Sequence, residues 1–422
     1  MSLSYKLLGA LLAASLFLTA CSTPPEAVVG PADEEPEEGQ MITIEIPEVL
    51  NEQTSANKED GKQYQIQTRL TDFHLFSESS GIAWGSTRSE LRLYLTQNSG
   101  KTWTSISPAA SVQFPNHPKY NKDIFFIDPS HGWVVRNPVG TSDAIVLRTR
   151  DGGATWKIAS LPGSSRIAAI YFTDVDHGWI LTASSYPDKE EKKLYQTEDG
   201  GATWSKIMSS PSGTDANLDH AFPVLSSDIS MMFRDTMNGY LSMVVSGIPK
   251  LYATSNGGIS WSEVTGFFST EKYKSCNQFT AGELQFFSNE PSGGWIPVGC
   301  VKEEATKYNG YYTADQGSTW TIVPYDTFWQ SGLNELVPPT FTSSKEGWFI
   351  HNSSVYHTTD QGNSWTALPK SDVLAKIIEE YPEIVKLRFS TSRVGWLLVA
   401  QSNQKRSLLL QTVDGGISWR VL

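Results

Sequence analysis

Cysteine is scarce, with three residues in 422. Cys21 closes an N-terminal apolar run, so only Cys276 and Cys300 remain for the body. That excludes a Cys-rich metal module and a small scaffold held by many disulfides. Basic side chains are in deficit: 33 Lys and Arg against 45 Asp and Glu, a formal net charge of −12. No nucleic-acid partner is expected, because phosphates demand a basic face. Direct docking of the body on anionic lipid is disfavoured for the same reason. The N-terminal apolar run Leu7–Leu18 holds 12 residues, short of the ~20 that a membrane-spanning helix needs. The chain has no Gly-rich phosphate loop after a strand, no Cys-x-x-Cys, no His pair at metal spacing and no G-x-S-x-G elbow. No cofactor and no metal ion are therefore expected.

What is present begins with a secretion signal. Lys6 supplies the positive end, Leu7–Leu18 the apolar stretch, and Leu18-Thr19-Ala20-Cys21 a lipoprotein cleavage pattern. Residues 1–20 read as a signal peptide, and Cys21 as the lipidated new N-terminus that anchors the protein to the cell membrane on its extracytoplasmic side. Residues 21–63 form an acidic, Pro-rich tether. Its stretch 22–40 carries four prolines and six acids with no Lys or Arg, too polar to offset chain entropy by burial.

The remainder repeats. Seven segments fit T-x-[DN]-x-G-x-[ST]-W: TQNSGKTW (96–103), TRDGGATW (149–156), TEDGGATW (197–204), TSNGGISW (254–261), TADQGSTW (313–320), TTDQGNSW (358–365) and TVDGGISW (412–419). Each follows an apolar run ending in a Gly-aromatic step, such as IFFIDPSHGW (124–133) and IYFTDVDHGW (170–179). The box tryptophans lie 45–59 residues apart, and each unit parses into four short strands. Four strands per unit with an aromatic motif per unit predicts an all-β, seven-bladed β-propeller with four-stranded antiparallel blades over residues 64–422. Both ends are in phase, so the last blade needs no N-terminal strand. Met41–Pro47, with alternating Ile42, Ile44 and Ile46, is expected to add an outer strand.

The acidic or amide residue of each box (Asn98, Asp151, Asp199, Asn256, Asp315, Asp360, Asp414) is expected to accept hydrogen bonds from its own turn. A repeated Asp also suggests a catalytic acid or a Ca²⁺ ligand, but seven copies around a ring cannot converge on one site. His131 and His177, each before a Gly-Trp step, read as turn residues rather than ligands. Cys276 precedes the first strand of blade five and Cys300 follows its second. Antiparallel neighbours bring those ends together, which predicts a Cys276–Cys300 disulfide.

The boxes and the F-x-D-x-x-x-G-W steps resemble the Asp-box (BNR) propellers, and most nearly the photosystem II stability and assembly factor type. That resemblance implies an exported, often lipidated, non-enzymatic protein that binds a membrane-protein partner; no photosynthetic partner is carried over. Sialidases and xyloglucan-type endoglucanases share the box. The Arg-Ile-Pro step of the former does not occur here, and the paired propellers of the latter do not fit in one chain of this length. The favoured expectation is a non-catalytic, monomeric binding or assembly scaffold for a protein or cell-envelope glycan. The alternative is a glycoside hydrolase or glycan-binding protein of the sialidase-like superfamily, with carboxylates such as Asp326, Glu303 or Asp219.

Function is expected on the long, dissimilar loops that join one blade to the next. They carry aromatics suited to a sugar platform or a protein contact, and Trp329, Tyr325, Tyr273, Phe328 and His220 are the predicted binding residues. Ser371 followed by Asp-Val-Leu-Ala-Lys-Ile-Ile reads as an N-capped helix. Its stripe Leu374, Ile377, Ile378 and Tyr381 is expected to pack on the propeller.

Overall fold

The computed structural model describes residues 41–45 (backbone only), 66, 68–87, 90–108, 114, 118–137, 143–163, 165–184, 191–210, 222, 226–272, 276–331 and 337–422. The signal peptide, Cys21, most of the tether, Asp219, His220 and Tyr273 lie outside the described residues. Seven antiparallel sheets follow one another along the chain, each with its four blade strands in sequence order. In blade two the strands are Ile124–Phe126, Gly132–Arg136, Ala144–Thr149 and Thr155–Leu161. The first strand of each blade faces the axis. First strands of blades two and three, three and four, six and seven, and seven and one pack on each other. The chain is a seven-bladed β-propeller.

Blade seven is built wholly from the chain's end: Glu383–Phe389, Gly395–Ala400, Ser407–Thr412 and Arg420–Val421. Met41–Glu45 pairs antiparallel with the outer strand of blade two, Met41 opposite Ala159 and Glu45 opposite Thr155. Ser371 caps the helix Asp372–Glu380 by accepting from the Leu374 amide. Leu374 and Tyr381 are buried in the cluster of blades six and seven, with Ile377 and Ile378 against it.

The box is a closed hydrogen-bond ring, and its first threonine does as much as its acid. In all seven copies the threonine hydroxyl donates to the Asp or Asn Oδ1 at 2.7–3.1 Å. The threonine Oγ1 in turn accepts from the Gly amide four residues on, at 2.8–3.0 Å. Oδ1 also accepts from the amide of the later Ser or Thr, for example Thr155 at 2.9 Å. That Gly sits at positive φ, +86° at Gly153, where a Cβ is penalised.

These donors set the acid sensitivity of the fold. The Thr319 hydroxyl and amide and the Thr313 hydroxyl hold Asp315 down to about 2, against an ordinary 3.8. Asp360 is lowered in the same way, first by the Ser364 hydroxyl. Burial pushes Asp151, Asp199 and Asp414 up, but hydroxyl and amide donors overrule it and leave all three lowered. A depressed carboxyl stabilises the fold above its unfolded value, and that stability is lost as pH falls from about 4 towards 2. Asp315→Asn keeps the acceptor and removes the titration, as Asn98 and Asn256 already do. Its melting temperature should therefore fall less than wild type between pH 5 and pH 2. Asp315 is exposed, so solvent screening limits the difference to about 0.5 kcal/mol. Parallel melting curves across that range would refute the assignment.

The Gly-aromatic step is the other half of a joint between blades. Trp133 of blade two donates its Nε1 to Gly200 O in the box of blade three (2.8 Å). Trp179 donates to Gly257 O of blade four (2.9 Å), and Trp348 to Gly415 O of blade seven (3.0 Å). Tyr240 of blade four donates its hydroxyl to Gln316 O of blade five. Three of these rings stack on the inner-strand Phe of the next blade: Trp133 on Phe172 (3.6 Å), Trp179 on Phe233 (3.8 Å) and Trp348 on Phe389 (4.0 Å). His131 and His177 are turn residues, each with Nδ1 at 2.9 Å from a carboxylate oxygen, of Asp128 and Asp174 respectively.

Candidate binding site at the channel mouth

A cavity of about 450 Å³ occupies one end of the central channel. Its walls come from the leading halves of the inner strands and from the segments that enter them, including Thr71 and Asp72, Pro118 to Tyr120, Asp228, Thr280 to Glu283, Val337 to Thr340 and Val385 to Arg388. Inner strands begin where the previous blade hands over, so the cavity lies on the face of the inter-blade loops.

β-Bulges make this mouth. In blade one the register steps from Leu70↔Gly85 to Asp72↔Trp84, leaving Thr71 unpaired. Blade three skips Ala168 and blade seven skips Val385 at the matching point. Blade four steps from Ser227↔Val244 to Ser230↔Ser242, with Asp228 at φ +49°. In blade five the inner strand breaks between Gln278–Ala281 and Gln285–Phe287. Its partner carries Pro297, which has no N–H to give the ladder. Gly282 instead donates to Pro297 O (2.8 Å), and a Cβ on Gly282 would lie 2.5 Å from the Pro297 ring. Each extra residue breaks the in-out alternation and re-aims side chains at the channel.

Those side chains are charged. Lys386 Nζ donates to Asp72 Oδ1 (2.7 Å) and to Phe73 O (3.0 Å), joining blades seven and one. Arg388 faces Glu283, and Lys119 faces Asp228, in attractive pairs that do not close to an ion pair. Burial raises Asp228, opposed by the Ala281 amide and Lys119. Burial also disfavours the charge of Arg388. His74 stacks on Tyr120 at 3.8 Å and is held well below its ordinary value by burial, then by Lys386 and Arg388. It is neutral at pH 7. Trp295, Tyr308 and four prolines supply the apolar wall. Cys276 and Cys300 form a disulfide with Cα atoms 5.5 Å apart, beside Phe279↔Cys300 of blade five.

Trp329, Phe328 and Tyr325, the predicted binding residues among those described, are not gathered here. Trp329 and Phe328 are 41% and 46% exposed and line no part of the cavity. Phe328 stacks on His351 (4.5 Å) beside Tyr356, forming a separate aromatic patch. Tyr325 is corrected: it is 2% exposed and lines no part of the cavity. Its hydroxyl accepts from Trp295 Nε1 (2.8 Å) and bonds to the Tyr312 hydroxyl (2.6 Å). Its ring abuts Gly362 in the box of blade six. Tyr325 thus fills the joint between blades five and six, where a Trp-to-box bond stands elsewhere. Asp326 and Glu303 also lie outside the cavity lining. Asp72, Lys119, Asp228, Glu283, Lys386 and Arg388 were missed. Their signal was charge interrupting apolar first strands, as in EIVKLRF (383–389) and SDISMMF (227–233).

A family model described as Sortilin, neurotensin receptor 3 (Sortilin-Vps10) matches residues 91–239. No curated protein matches the chain. YCF48 from Cyanidioschyzon merolae superposes with a TM-score of 0.50 at 18% identity, over 83% of this chain and 97% of that one. An ulvan lyase of polysaccharide lyase family PL25 gives 0.50 at 8% identity, over 83% and 92%. At such identities both likenesses carry the propeller fold alone.

Proposed function

We propose that this propeller is a non-catalytic binding module, held at the outer side of a cell membrane through a lipidated Cys21, whose channel mouth grips a protein or envelope-glycan partner. The observation that carries it is the pair of facing charges, Arg388 with Glu283 and Lys119 with Asp228, left open across one cavity. Charges held apart on a rigid ring are preorganised for a ligand. The resemblance to assembly-factor propellers supports the same reading.

Capture from solubilised membranes by the full-length protein tests it. Arg388→Gln should lower partner recovery about tenfold or more, since a hydrogen bond to a charged group is worth about 1.5–3 kcal/mol. Trp329→Ala should lower it less. Loss with Trp329→Ala alone would move the site to the aromatic patch. For the anchor, a palmitate analogue should label wild type but not Cys21→Ala, and an unlabelled wild type overturns lipidation.

A second reading rests on the same cavity. Asp228, raised by burial, and Glu283 share it, two carboxyl groups in one pocket. The cation opposite each carboxylate weighs towards recognition. Turnover of an envelope glycan by purified protein, abolished by Asp228→Asn, would establish the hydrolase instead.

A further inference from the structure

The charges of the channel mouth are ordered in space. Lys386 and Arg388 come from blade seven and Lys119 from the segment entering blade two, on either side of blade one. Asp228 and Glu283 come from blades four and five, which lie opposite blade one in a ring of seven. Asp72 is already engaged by Lys386. One wall therefore offers Arg388 and Lys119, and the opposite wall offers Asp228 and Glu283. Counted together, the three acids and three bases of the lining cancel.

This pattern excludes simpler ligands. A polyanion meets Asp228 and Glu283, and a polycation meets Arg388 and Lys119. A neutral sugar brings no charge to either wall, although burial disfavours the charged forms of Arg388 and Asp228. A ligand with one charge of each sign satisfies both walls. About 450 Å³ lies within the ~300–1,000 Å³ usual for small-ligand pockets, and the prolines of the lining add apolar surface beside the charges.

We propose that the channel mouth binds a short peptide-like zwitterion, its carboxylate on Arg388 and Lys119 and its ammonium on Glu283 and Asp228. The assignment rests on the cavity being the binding site and names the chemistry of what enters it.

Titration calorimetry on the full-length protein in detergent tests it, with the dipeptides Ala-Tyr and Ala-Leu, their N-acetyl and C-amide forms, and cellobiose. The free dipeptides should bind, and each blocked form should bind about tenfold more weakly or worse. Arg388→Gln should erase the penalty for the C-amide, and Glu283→Gln the penalty for the N-acetyl group. If Arg388→Gln does not fold, the exposed Lys119→Gln replaces it. Blocked forms binding as well as free ones, cellobiose binding more tightly, or no dipeptide binding at all overturns the proposal. If dipeptides fail while membrane-partner recovery still falls with a cavity variant, the zwitterion is wrong and the site stands.

Discussion

Trp396→Ala should lower the unfolding free energy by about 3–5 kcal/mol, the range for truncating a large buried aromatic. Trp396 is fully buried at the seam where blade seven meets blade one, between Phe73 (5.8 Å) and Trp103 (5.7 Å). No strand is shared across this seam, because blade seven takes all four strands from residues 383–421. Closure therefore rests on side chains. Lys386 bonds Asp72 and Phe73 O, Ser407 Oγ accepts from the Leu70 amide (2.7 Å), and Arg420 donates to Ser99 O (3.1 Å). Trp396 differs from its counterparts in one respect: its Nε1 has no hydrogen-bond partner. Trp396→Phe should consequently cost less than Trp133→Phe, which also loses the bond to Gly200 O. Urea unfolding of the full chain measures all three variants. A loss under about 1 kcal/mol for Trp396→Ala would show that the seam is held elsewhere.

Removing the disulfide should have the next largest effect. Cys276→Ser with Cys300→Ser should lower stability by about 2–4 kcal/mol, the usual range for a native disulfide. The bond closes a sequence separation of 24 residues and ties the lead-in of blade five to its second strand. That inner strand is broken at Gly282–Leu284, where Pro297 offers no donor. The break is also what aims Glu283 at the cavity. The double variant should therefore weaken ligand binding as well as stability. Denaturant midpoints with and without reductant measure the first, and calorimetry the second. Coincident midpoints would show that the ladder around Phe279 and Thr280 suffices alone.

Much of the architecture was readable because it is written locally. A threonine, an acid or amide, a glycine and a second hydroxyl within seven residues can only close one kind of turn. Seven of them in phase define the blades and their number. Even the joints were half visible, since 13 of the 14 tryptophans fall in the two motifs. Their complementarity was not, because Trp133 and Gly200 are 67 residues apart and nothing in either motif names its partner. The exposure of the loop aromatics was hidden for the same reason. Phe328 and Trp329 sit at alternation-breaking positions and reach solvent, whereas Tyr325, three positions before Phe328, is drawn into a joint by Trp295 and Tyr312.

The sequence by itself determined the number of blades, the phase of both ends, the turn chemistry and the partnership of Cys276 with Cys300, because each follows from spacing along the chain. The site was decided by tertiary structure. Asp72, Lys119, Asp228, Glu283, Lys386 and Arg388 are spread over more than 300 positions and share no motif. They meet because inner strands of a closed ring converge on one axis, and because irregular pairing in the inner strands of blades one, four, five and seven turns all but Lys119 inward. A bulge is a mismatch of one residue between two strands, so it exists only once the strands have paired.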